Sequence, residues 1–154
     1  MLNSYMPGSL KAEHHELHVQ LERAAREKGA VGAAAREALA LITAHFAKED
    51  QYTIPPLALL PKLAWGTVTD EMAQILPVTR KLKAELPLML IEHKDIAASL
   101  ARLRQAARDA EQPEHERCAV ALMLHVREEE EVLYPAAVLV GEYLELKLHH
   151  AELS

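Results

Sequence analysis

Six residues carry the chemistry this sequence could do. His45 and Glu49 stand four apart, and so do His125 and Glu129. Positions i and i+4 share one face of a helix, so each pair aims an imidazole and a carboxylate the same way. His14 and His93 each follow a glutamate, Glu13 and Glu92, and each lies on an apolar stripe of helical period. Imidazole and carboxylate together suit iron, manganese or zinc. There are too few oxygen donors for calcium, and Cys118, the only cysteine, cannot make a thiolate cage. Six donors are too many for one tetrahedral zinc. Two metal ions sharing two carboxylates fit better. Without metal, two glutamates would be buried on stripes that hold no Lys or Arg near their middles, which is costly.

The positions also repeat. Glu13-His14 with Leu17 and Leu21 matches Glu92-His93 with Ile96 and Leu100. His45, Glu49 and Pro55 match His125, Glu129 and Pro135. Two copies of one helix pair make an antiparallel four-helix bundle with pseudo-twofold symmetry.

The elements that must position these residues are helices. The first is capped by Ser9 and runs to about Lys28, with Leu10, His14, Leu17, Leu21 and Ala24 as its stripe. Gly29 and Gly32 mark a turn. The second covers about 33–52, with Ala38, Leu41, His45, Glu49 and Tyr52 on one face, and Pro55 and Pro56 stop it. Residues 55–87 read as a structured connection of short pieces, one of them capped by Thr69. The third helix covers about 86–110, with Met89, Leu90, His93, Ile96, Leu100, Leu103 and Ala107 inward. Pro113 opens the fourth, whose face carries Cys118, Ala121, Leu122, His125, Glu129 and Val132, and Pro135 lies at its end. A last short helix is expected over 142–153. The fold class is all-α: an antiparallel up-down four-helix bundle with a longer connection between helices 2 and 3 and a short C-terminal helix. Residues 1–154 read as a single domain.

Composition agrees and excludes some functions. Half of the residues are hydrophobic and only 4% are aromatic. Ala and Leu lead the apolar set and favour helix over sheet. The net charge of −6, with both signs interspersed, argues against a nucleic-acid or anionic-membrane surface. No apolar run approaches the roughly 18–20 residues that span a bilayer. The N-terminus has no basic residue before Lys11 and does not read as a signal peptide. The lone Cys118 reads as a small core residue in a reducing, cytoplasmic setting.

The order His, His-x3-Glu, Glu-His, His-x3-Glu, with proline at the ends of helices 2 and 4, resembles the hemerythrin/HHE cation-binding family over essentially the whole chain. The resemblance implies a hemerythrin-like bundle around two non-haem iron ions joined by an oxo or hydroxo bridge. It implies His14 and His45 on one iron, His93 and His125 on the other, and Glu49 and Glu129 bridging both. Glu13 and Glu92 are read as solvated acids ahead of a role behind the ligands. Oxygen-carrying members have a fifth histidine where Met89 stands, and His18 is the one nearby substitute. Tyr52 and Glu128 flank the centre with bland roles. His15, His115, His149 and His150 fall off the stripes and are expected in solvent.

Without a fifth histidine both irons keep an open position. That favours sensing or redox chemistry over reversible oxygen storage. The expected function is a non-haem di-iron binding protein that interacts with O2, NO or iron in a sensing, redox or binding role, more a metal and small-gas binder than a dedicated enzyme. No nucleic-acid or membrane partner is expected, and no protein partner is named. A di-iron oxidoreductase of peroxidase, ferroxidase or iron-centre repair type is the alternative, and a metal-free structural bundle the second.

Overall fold

The computed structural model describes residues 8–153, with side chains to residue 149. It is helical throughout, with no strand among the described residues. The helices are α1 (Gly8–Ala25), α2 (Gly29–Tyr52), α3 (Ile54–Leu57), α4 (Leu60–Ala64), α5 (Leu76–Asp109), α6 (Pro113–Glu128) and α7 (Tyr134–Leu153). A 3-10 turn covers Asp70–Ile75 and a π turn covers Glu129–Leu133. No helix of the described residues is long and apolar enough to cross a membrane.

The apolar stripes explain the packing. α1 lies against α2 and α6, α2 against α5, and α5 against α6, so these four helices close a ring. Leu17, Leu21, Ala35, Ala38, Ile42, Ile96, Leu100, Leu103 and Leu122 fill its inside. A second cluster, with Leu59, Ile75, Val140 and Leu144, seats α7 over the connection.

Several boundaries differ from the sequence expectations, each for a local reason. Ser9 lies inside α1 rather than capping it. α2 starts at Gly29, and Gly32 sits within it. Gly32 is needed for close approach: a Cβ there would meet the Glu27 carbonyl oxygen at 1.8 Å. α5 starts at Leu76, ten residues earlier than expected, with Pro77 in its first turn and Pro87 inside it. Thr69 precedes the 3-10 turn in an extended conformation but makes no side-chain capping bond.

The chain does not stop at Pro135. The Tyr134 amide bonds to the Glu129 carbonyl, five residues back, and the helix resumes as α7 and continues to Leu153. A proline lacks an N–H, and its ring clashes with the carbonyl four residues back in a regular α-helix. The wider π turn relieves that conflict. The separate short helix expected over 142–153 is therefore the second half of α7.

α7 docks on α5 through Gly141, where a Cβ would come within 2.2 Å of Thr79 Oγ1 and 2.6 Å of Thr79 Cβ. Gly141→Ala is expected to destabilise the fold by about 1–3 kcal/mol through overpacking. A denaturation midpoint that does not move would contradict that close approach.

Candidate metal centre

All six candidate residues are buried at one level of the ring. His14 is 8% exposed, and His45, Glu49, His93, His125 and Glu129 are each at 2% or less. Their donor atoms fall into two groups: His14 and His125 with Glu49 and Glu129, and His45 and His93 with the same two glutamates.

The two carboxylates are divided between the groups oxygen by oxygen. Glu129 Oε1 lies 2.7 Å from His125 Nε2 and 3.7 Å from His14 Nε2. Its Oε2 lies 3.0 Å from His93 Nε2 and 3.6 Å from His45 Nε2. Glu49 Oε2 lies 3.3 Å from His14 Nε2, while its Oε1 lies 3.2 Å from His45 Nε2. The histidine pairing differs from the expected one: His14 groups with His125, and His45 with His93. The ring explains why spacing could not decide this. Each stripe borders two neighbours, so His14 on α1 can meet a histidine of α2 or of α6.

Several of these atoms have no hydrogen-bond partner. Among the buried polar side-chain atoms left unpaired are His14 Nδ1, Glu49 Oε2, His125 Nε2 and Glu129 Oε1. Native interiors rarely leave such atoms unsatisfied. His125 Nε2 and Glu129 Oε1 are close but not aligned as donor and acceptor. Both residues belong to one close group of ligand atoms that could hold a metal ion, which suits a cation bound by the two together.

Carboxylates hold the outer ring nitrogens. Glu13 accepts from His125 Nδ1 at 2.9 Å, Glu92 from His45 Nδ1 at 3.1 Å, and Glu130 from His93 Nδ1 at 2.9 Å. Glu13 and Glu92 are thus not simply solvated acids. Each reaches across to a histidine of the neighbouring helix, and Lys48 pairs with Glu92 from α2. Glu130 was not singled out by the sequence. His14 differs: it stacks on Phe46 at 4.1 Å between ring centres, nearly parallel.

Electrostatics follow from this crowding. Burial opposes charge on His45, but Glu129, Glu49 and Glu92 outweigh it and raise its pKa to about 10. The same balance, with Glu129 foremost among the carboxylates, raises His125 to about 9. Burial also works against the Glu129 charge, yet the close imidazoles of His125, His14, His45 and His93 hold it well below the usual carboxylate range. Glu49 moves the other way, pushed up by burial and by the Glu129 charge.

Tyr134 was missed. Its hydroxyl donates to Glu49 Oε1 at 2.6 Å and lies 3.0 Å from both His45 Nε2 and His93 Nε2. Burial, then the charges of Glu49 and Glu129, push the phenol upward.

The remaining candidates lie elsewhere. His18 belongs to neither group; its Nε2 is 3.0 Å from the Thr43 hydroxyl and its Nδ1 faces Glu22. Met89 is fully buried and packs with Leu57, Leu82 and Tyr134. Tyr52 packs at the edge of that cluster. Glu128 is exposed, near Glu13 and His125. His115, expected in solvent, is 6% exposed and bonded to Glu27 at 3.1 Å. His15 and His149 are exposed, and the side chain of His150 lies outside the described residues. Cys118 is buried in the core, and burial raises its thiol to about 11.

A family model described as the hemerythrin HHE cation binding domain matches residues 6–137. No curated protein and no solved structure matches the chain.

Proposed function

Because this chain belongs to the hemerythrin HHE cation-binding domain family, we propose that it holds two non-haem iron ions and acts through them on a small diatomic ligand, O2 or NO, in a sensing, redox or binding role. The observation that carries this reading is the division of Glu49 and Glu129, each giving one oxygen to either histidine pair. His14 and His125 would hold one ion and His45 and His93 the other, with both glutamates bridging. Bound, such a pair supplies open coordination positions and one-electron redox chemistry. The chain is read as one hemerythrin-like domain, with α1, α2, α5 and α6 as an antiparallel up-down bundle; their closed ring of packings supports this. A cytoplasmic setting is favoured by the single buried thiol.

The residues around the ligands prepare them for metal. A carboxylate on the outer nitrogen fixes the tautomer, so that the inner nitrogen presents its lone pair. Glu13→Gln should weaken metal binding about 10–100-fold in competition with a chelator, by loosening His125. Unchanged affinity would return Glu13 to the solvated role.

The test of the functional reading is anaerobic ferrous reconstitution, followed by exposure to O2 or to NO and watched by absorbance. A ligand-dependent spectral change at the iron supports it. An iron-loaded protein indifferent to both gases would exclude it. Catalytic turnover of peroxide or ferrous ion would select the oxidoreductase alternative.

A further inference from the structure

We propose that Tyr134 is a fifth protein ligand on the His45/His93 side, so that the two irons are unlike and the open position lies on the His14/His125 side. This rests on the two-iron reading above.

The geometry is that of a coordination shell. First-row ions bind imidazole and carboxylate at about 2.0–2.2 Å, so neighbouring corners of an octahedron of such bonds lie about 3 Å apart. Tyr134 Oη is 3.0 Å from His45 Nε2, 3.0 Å from His93 Nε2, 2.6 Å from Glu49 Oε1 and 3.4 Å from Glu129 Oε2. It stands as the apex over four donors whose own neighbour distances are alike: 2.7 Å between the two Nε2 atoms, 3.2 Å from His45 to Glu49 and 3.0 Å from His93 to Glu129. A hydroxyl that only supported one carboxylate would not need equal reach to both imidazoles.

The backbone is built to deliver it. In a regular α-helix, residue i+5 lies roughly 140° round from residue i. The π turn instead hydrogen-bonds Tyr134 to Glu129 and stacks one over the other. The hydroxyl thereby reaches the face that carries Glu129, and the residue is 2% exposed. The other half of the repeat has Ile54 in the equivalent place before Pro55, so it has no such oxygen. The His14/His125 group keeps four protein donors, and its atoms are among the unpaired ones. Tyr134 thus takes the part that a fifth histidine plays in an oxygen carrier, from another helix. Coordination replaces the phenol proton, which passes to solvent as the iron–oxygen bond forms; no electron is transferred.

The experiment uses the full chain, loaded anaerobically with ferrous salt and oxidised with ferricyanide. Ferric phenolate gives a broad visible charge-transfer band and resonance-enhanced tyrosine ring vibrations, which histidine and carboxylate ligands do not. Both signals are expected in the unmodified protein and should vanish in Tyr134→Phe, with Tyr52→Phe as a control that keeps them. If Tyr134→Phe fails to retain iron, ring-deuterated tyrosine in the unmodified protein should shift the vibrations. Their absence from an unmodified protein that holds two irons, or their survival in Tyr134→Phe, would overturn the ligand assignment alone. An unmodified protein that takes up no iron would overturn the two-iron reading, and this assignment with it.

Discussion

Glu129→Ala is expected to empty the centre completely rather than halve its metal content. A terminal ligand serves one ion, but Glu129 gives Oε1 to the His14/His125 group and Oε2 to the His45/His93 group. It is also the common partner of all four imidazoles. In the metal-free protein its removal takes away the main counter-charge that holds His45 and His125 protonated. Unpaired buried charge is costly, so both imidazoles should give up their protons. The variant should therefore fold with neutral histidines and still bind no metal, because each ion loses a carboxylate oxygen and Glu49 alone is left to join the two groups. His115→Ala is the matched control. It removes a buried histidine bonded to Glu27, outside both groups, so it should cost stability and leave metal content intact. One metal retained in Glu129→Ala would make Glu129 a terminal ligand.

Metal-free and metal-loaded protein are expected to respond to pH in opposite directions. In the metal-free form the raised values of His45 and His125 mean that the folded state holds protons the unfolded chain has lost. That stabilisation is fully present below the unfolded value of about 6.5 and is lost as pH rises through about 9 to 10. Glu129 has the opposite sign. Its depressed value stabilises above the ordinary carboxylate range and is lost only as pH falls well below it. The metal-free protein should then melt highest in mildly acidic solution and lower steadily into alkali. Metal must displace the same protons, and each one displaced makes apparent affinity rise roughly tenfold per pH unit. Affinity should keep climbing to about pH 9 or 10, past the point where ordinary histidine is already neutral. A plateau in affinity just above pH 7 would show that the glutamates do not hold those protons.

The helices and the six buried donors were legible because both depend on the same regular period. Leu17, Leu21, Ile96 and Leu100 bury one face, and His14, His45, His93 and His125 ride on it. What was illegible required a departure from that period or knowledge of which faces meet. Glu129 and Tyr134 come together only because a π turn replaces regular helix between them. The signal was Pro135 close behind a buried carboxylate, read as the end of a helix instead of a wider turn. Glu13 and Glu92 look solvated along their own helices and become partners only when α6 and α2 lie alongside. His115 falls off its stripe yet is covered, because Glu27 reaches it from beyond the end of α1. The histidine pairing across the ring depends on side-chain reach, which no spacing encodes.

We propose that one chain holds two metal ions between shared glutamates. Elemental analysis after anaerobic iron reconstitution and removal of loosely bound metal measures it most directly, with circular dichroism on the same sample to establish the fold. Two irons per folded chain are expected, falling to none in Glu129→Ala. A single tightly held iron, or none, in fully folded unmodified protein would contradict it.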